Sequence, residues 1–276
     1  MGLRARQNGG GKIRQSGGGG RGGGNGSPGG RGNNGNSPSL TTALLHFNGS
    51  DGGTTFTDEY NNVWAIPASG TAVTHTTSLT TPKFGTGSLR SNTNGAGNRG
   101  GIVMDNANIC AFGNGDFSID FWVYRTSTFG PDGSTNPWIF WGNNHATNFP
   151  AIGIALNNFT ELLVYASSTG SSFIGGGPII STGTLAVATS SWQHHALCRS
   201  GANLRLFVNG VQKGATYNLG TTSLFAATGC NVGGIYNGVV SPNFSMVGNI
   251  DEVYIRKGVA AFTADFTPPT SAYSPP

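Results

Sequence analysis

Charge is scarce in this chain: Asp, Glu, Lys and Arg together make up 9% of its 276 residues, against about a quarter in an ordinary soluble domain. A surface built instead from Gly, Ser, Thr and Asn suits contact with other molecules better than solvation. The three cysteines, Cys110, Cys198 and Cys230, are an odd set without C-x-x-C spacing. That excludes a disulfide framework and a structural zinc site. The opening MGLRARQNGGGK contains no apolar stretch, so no secretory signal is expected. No apolar run approaches the roughly twenty residues of a membrane span. These absences predict a protein made in a cytosol, outside the ordinary secretion route and without a membrane partner. Apolar periodicity of the helical kind never exceeds about two turns, so long helices are not expected either.

Acid is missing altogether from residues 1–39, which carry Arg4, Arg6, Lys12, Arg14, Arg21 and Arg31. The net charge of +4 is therefore a +6 arm on a body of −2. Much of the arm is low-complexity sequence (GGGGRGGGNGSPGGRGNNGN), and beyond Met1 its large apolar residues are Leu3 and Ile13. Such a segment cannot bury enough apolar surface to offset an ordering cost of about 1–2 kcal/mol per residue. It reads as an extended, irregular arm whose order comes from an acidic partner surface. Its Gly-Gly-Arg-Gly pieces are like those of nucleic-acid-binding segments, but no Phe, Tyr, Trp or His is present to stack on a base. Nucleic acid is therefore not the expected partner. Glycine also lets a chain lie flat against a protein, with arginines finding its carboxylates.

From residue 40 to 276 the pattern changes to short strands between Gly, Asn, Asp and Pro turns. Phe117, Ile119, Phe121 and Val123 alternate with Ser118, Asp120, Trp122 and Tyr124. Leu204, Leu206 and Val208 alternate with Arg205 and Phe207, and Asn209-Gly210 supplies the positive-φ residues of a tight hairpin. Val253 and Ile255 alternate with Glu252 and Tyr254. Many short strands over this length predict one all-β, antiparallel sandwich domain over residues 40–276.

Four segments carry a resemblance: ALLHFNGSDG (Ala43 to Gly52), GDFSIDFWVY (Gly115 to Tyr124), SWQHHALCRSGANLRLFVNG (Ser191 to Gly210) and GNIDEVYIRKGVAAFTADFTPP (Gly248 to Pro269), with KFGTGSLR (Lys83 to Arg90) as a fifth. Together they resemble the laminin-G-like, concanavalin A-like lectin/glucanase jelly roll of the bacteriophage structural-protein type, over about residues 43–270. The resemblance implies two antiparallel sheets face to face, with the Ala43 and Gly248 strands close together. It says little about function, because this fold hosts sugar binders, adhesins, enzymes and structural modules.

Candidate chemistry is thin. His194 and His195 are adjacent on a strand and face opposite sides, so they cannot share a metal. A glycosidase needs two carboxylates about 5–10 Å apart on one surface. Glu59, Glu161 and Glu252 are far apart in sequence, and Asp251 and Glu252, as strand neighbours, point to opposite faces. Asp51, Asp58, Asp105 and Asp132 sit in Gly/Asn-rich loops and are read as turn formers, not calcium ligands. In WIFW, alternation puts Trp138 and Phe140 on one face, Ile139 and Trp141 on the other; beside Asn143, Asn144 and His145 these aromatics are a candidate sugar platform. The expectation is therefore a non-enzymatic protein with no cofactor, no metal and no catalytic residues. It is expected on the capsid exterior of a virus particle as a decoration or cement protein, a symmetric homo-oligomer, taken as a trimer. Its arm, through the six cationic residues named above, binds the major capsid protein. The alternative is a carbohydrate-binding adhesin of a phage tail or fibre that docks a host-surface glycan.

Overall fold

In the computed structural model the chain divides into two units, Met1–Ser37 and Pro38–Pro276. The structure describes residues 42–66, 75–77, 82–91, 101–126, 137–143, 149–157, 161–183, 188–235 and 245–275. The arm residues Arg4, Arg6, Lys12, Arg14, Arg21 and Arg31 lie outside them, as do Asp132, Asn144 and His145.

Among the described residues, sixteen strands form two eight-stranded antiparallel sheets. The first runs β14 (Val211–Asn218), β13 (Asn203–Val208), β12 (Trp192–Ser200), β7 (Phe117–Arg125), β16 (Gly248–Lys257), β5 (Leu89–Ser91) and β4 (His75–Thr77). In this sheet β1 (Thr42–Leu45) also pairs with β16, Leu45 opposite Val253 and Thr42 opposite Arg256. The Ala43 and Gly248 segments are thus neighbours. The second sheet runs β11 (Ile180–Ser181), β10 (Leu162–Ala166), β9 (Ile152–Leu156), β8 (Trp138–Trp141), β15 (Cys230–Val232), β6 (Ile102–Met104), β3 (Val63–Ala65) and β2 (Thr55–Thr57). Among the described residues the one α-helix, α1 (Ala107–Cys110), is short and is capped by the Asn106 side chain, which accepts from the Asn108 N–H at 3.0 Å.

Period-two patterning dictates which face of each strand is buried between the sheets. Phe117, Ile119, Phe121 and Val123 from β7 meet Leu197 from β12 and Leu204, Leu206 and Val208 from β13. Ile139, Phe140, Ile152, Ile154, Leu162 and Val164 close the core from the other sheet. The β13–β14 hairpin turns at Asn209 and Gly210, with φ of 51° and 79°, the paired left-handed geometry that an Asn-Gly step favours. All three cysteines are buried and free.

Arg199, on the core side of β12 at one end of the sandwich, is fully buried without a carboxylate in hydrogen-bond contact. Instead it donates to four carbonyls: Nε to Gly201 at 3.0 Å, Nη1 to Gly113 at 3.2 Å and Thr222 at 3.1 Å, and Nη2 to Gly220 at 3.1 Å. The guanidinium's fixed fork of donors suits this task, and burial lowers its pKa. Arg199→Met strands those buried acceptors. It should cost about 3 kcal/mol in urea unfolding, and Arg199→Lys should recover only part, since a single ammonium cannot reach all four. Full recovery by lysine would refute the fork argument.

Candidate functional site

Alternation sends Asp120, Trp122, His194, Ala196, Cys198 and Phe207 to the face of the first sheet away from the core. The chain after β16 then folds back across that face. Phe262 and Phe266 stack at 3.8 Å between ring centroids, and with Ala260 they cover Ala196, Cys198 and Phe207. Phe266 meets Phe207 at 5.4 Å and His194 at 5.6 Å. The strap is tied to the hairpin where the Phe266 N–H donates to the Gly210 carbonyl at 2.9 Å. A Cβ on Gly210 would lie 1.8 Å from the Phe266 oxygen, so glycine serves both the turn and the close approach.

Tyr273 fastens the far end of the strap. Its N–H donates to Glu252 Oε2 at 2.8 Å and its hydroxyl donates to Asp120. The phenol oxygen, its hydrogen directed at Asp120, accepts from His194 Nε2–H at 3.0 Å. Burial and the neighbouring carboxylate push the Tyr273 phenol far above its ordinary pKa. Asp120 also binds the Arg256 guanidinium, which lies 4.3 Å over the Tyr254 ring.

A β-bulge makes this network possible. Trp122 pairs with Asp251 and Asp120 with Tyr254, so Glu252 and Val253 together face Phe121 alone. Glu252 takes a φ of 53°, and the extra residue changes the alternation. Asp251 and Glu252 do not point to opposite faces, as simple alternation requires. Asp251 pairs with outward-facing Trp122, while Glu252 reaches the strap at Tyr273 and the segment after β1 at His46, whose Nδ1 it binds at 2.6 Å. Asp251 accepts from the N–H groups of Lys83 (2.7 Å), Phe84 (3.2 Å) and Glu252 (2.9 Å). Burial pushes its pKa up to about 7, against the pull of those donors. The hydrogen bond to Glu252 holds His46 above the ordinary imidazole range despite desolvation. Three carboxylates therefore share one region of the fold, and each is buried and bonded within the chain.

His194 and His195 do face opposite sides. His195 is buried against the core, its ring 5.8 Å from that of Phe121, with neither nitrogen bonded. Desolvation pulls its pKa down to about 3, so it is a neutral core residue. Asp58 is a turn former: it accepts from Tyr60 N–H and Asn62 N–H, both at 2.9 Å, and from Trp64 Nε1–H at 3.1 Å. No group of three or more His, Cys, Asp or Glu able to hold a metal exists among the described residues.

A second bulge corrects the reading of the WIFW strand. The β8–β9 ladder slips between Trp138 and Phe140, so Ile139 and Phe140 both enter the core while Trp138 and Trp141 share the opposite face. There the two indoles meet edge to face at 4.6 Å, Tyr165 lies 5.1 Å from Trp138, and Phe173 lies 4.8 Å from Tyr165.

Residues 96–261 match the family model for the concanavalin A-like lectin/glucanases superfamily. The chain belongs to that superfamily. Solved structures share the fold at low identity. The binding domain of botulinum neurotoxin serotype G is 11% identical, over 79% of this chain and 47% of that one, at a TM-score of 0.50. The serotype D binding domain is 13% identical, over 83% and 48%, also at 0.50. Trypanosoma rangeli sialidase, solved with sialic acid, is 13% identical over 78% and 30%, at 0.49. This chain thus spans about a third to a half of those structures' lengths. No curated protein matches. The superfamily includes lectins and glucanases, and at these identities the likeness to the two toxin domains establishes the sandwich alone.

The raised Asp251 pKa carries a sign. Below its unfolded value near 4 the carboxyl is protonated in both states. Between there and about 7 the folded state holds a proton the unfolded state has lost, so this group's contribution to stability falls as pH rises. Asp251→Asn removes that dependence. Its melting temperature relative to the parent should improve steadily from about pH 4 to about pH 7; a pH-independent difference would show that Asp251 is ionised throughout that range.

Proposed function

We propose that this chain is a non-catalytic accessory protein of a virus particle, a decoration or cement protein whose sandwich is displayed outside the capsid while its N-terminal arm attaches to the major capsid protein. The observation that carries the reading is the segregation of charge: six cations and no acid in residues 1–39, on a body with a net charge of −2. A segment without a core of its own gains order only from contacts with a partner, and arginine–carboxylate hydrogen bonds at about 1.5–3 kcal/mol each contribute to it. The described sandwich supports the non-catalytic part. Its buried acids Asp120, Asp251 and Glu252 are hydrogen-bonded to the chain's own groups beneath or beside the strap, which leaves no free acid–base pair on that face. A symmetric homo-oligomer, with a trimer as the specific expectation, fits display on a particle.

The second reading is a carbohydrate-binding adhesin or receptor-binding module of a tail or fibre. It draws on the aromatic cluster of Trp138, Trp141, Tyr165 and Phe173 on the outer side of the second sheet.

The arm decides between them. A chain lacking residues 1–39 should keep its strand-rich circular dichroism but fail to co-sediment with purified particles. Replacing Arg4, Arg6, Arg14, Arg21 and Arg31 by Gln should weaken attachment and make the remainder less sensitive to salt, because screened charge no longer contributes. Wild-type occupancy by the truncated chain would make the arm a passive tail and favour the adhesin.

A further inference from the structure

Arg125 is the last residue of β7 and continues the core-facing row of Phe117, Ile119, Phe121 and Val123. It is 1% exposed, yet among the described residues neither its Nη1 nor its Nη2 has a hydrogen-bond partner. Arg199, at the opposite end of the same face, is equally buried and donates to four carbonyls. Backbone bonds pin Arg125 in place. Its carbonyl accepts from the Ser190 N–H at 2.7 Å, and the Thr126 N–H donates to the Val247 carbonyl at 3.1 Å. The strands on either side bring no side-chain acceptor to it. Across from Arg125 on β16 stands Gly248, where a Cβ would lie 2.0 Å from the Tyr124 oxygen, so a side chain has no room there. On β12 the core-facing Gln193 uses its Oε1 to accept from the Ala188 N–H at 2.7 Å.

Charge decides what is missing. Burial lowers the Arg125 pKa to about 10, which leaves the guanidinium cationic at neutral pH. Of the chain's 11 acidic residues all but Asp132 are among the described ones, and none of these forms an ion pair with Arg125. His195, further along the same face of β12, brings no counter-charge, because burial and then His194 and Arg125 hold it neutral. Both of its ring nitrogens are unbonded, so that face carries a second idle donor. A water molecule satisfies a hydrogen bond but not a charge, and a cation removed from water is stabilised by an opposite charge. The two terminal nitrogens of the planar fork suit one acceptor seated between them. A single unpaired cation calls for a single negative charge; a divalent anion would leave one charge of its own buried and unpaired.

We infer that Arg125 holds a monovalent anion of halide size against the core face of the first sheet, chloride being the simplest of that class. The site is separate from the arm and from the strap, and it is independent of display on a particle. The full chain is melted at constant ionic strength while sodium fluoride is exchanged for sodium chloride or sodium bromide. An anion that binds the folded state stabilises it by mass action. The melting temperature should therefore rise, with half-saturation at about 1–100 mM and about 3–5 °C for each tenfold step above it. Chloride and bromide should exceed fluoride, whose stronger hydration makes its burial costlier. Bulk effects of these salts on apolar burial run in the opposite order, so the sign separates a site from the solvent. Excess ³⁵Cl linewidth in the parent, displaced by bromide, reads the same binding without a variant. Arg125→Met, which keeps an unbranched chain without the charge, should abolish the rise, and Asp132→Asn should leave it intact. A melting temperature that is unchanged or falls from fluoride to bromide in the parent overturns the inference, as does a rise that survives in Arg125→Met. A rise seen only in Asp132→Asn also overturns it, since the counter-charge then belongs to the chain itself.

Discussion

Between its pairings with Trp122 and Asp120, β16 holds one residue more than β7, and the surplus falls at Asp251 and Glu252. Much of the outer architecture depends on that bulge. Glu252, in the left-handed region, reaches His46 after β1 and the N–H of Tyr273 at the end of the strap. Asp251 binds the backbone of Lys83 and Phe84 in the segment leading to β5. Three stretches distant in sequence are thereby fixed to one strand through side-chain hydrogen bonds.

The strap resolves what would otherwise be a costly surface. Phe207 and Tyr254 lie on the outward side of the first sheet, and Asp120 and His194 lie among them. Apolar rings need cover, and a carboxylate removed from water needs donors. Phe262 and Phe266 cover Phe207, the Tyr273 ring lies 5.2 Å from that of Tyr254, and Tyr273 and Arg256 donate to Asp120. The same closure bonds Asp120 and Glu252 to the chain's own tail and removes both carboxylates from that surface.

Much of the fold was legible in the residues. The alternation from Phe117 to Val123 places those four side chains in the core, and Asn209-Gly210 marks the hairpin because the turn chemistry is local. The two readings that failed, Trp138 with Phe140 and Asp251 against Glu252, failed for one reason. A bulge inserts a residue without altering composition, so simple alternation runs on through a strand that has changed phase. The bonded group around His194 was not legible either, since its partner Tyr273 is 79 residues away in a stretch that reads as turns and prolines. A signal did exist: Phe207 and Tyr254 are large rings at outward positions, which on a naked sheet would face water. The arm's role rests on charge and composition alone.

Asp120 and Glu252 on the outer face are held by the chain's own strap. Native-state hydrogen exchange of the Tyr273 amide tests this most directly, because that N–H is a bond donor only while the strap is docked. A docked strap gives the Tyr273 and Phe266 amides protection approaching that of β16 and lost in the same opening event. Exchange of both at the rate of an exposed loop, with β16 still protected, would contradict it and leave Asp120 and Glu252 open to solvent.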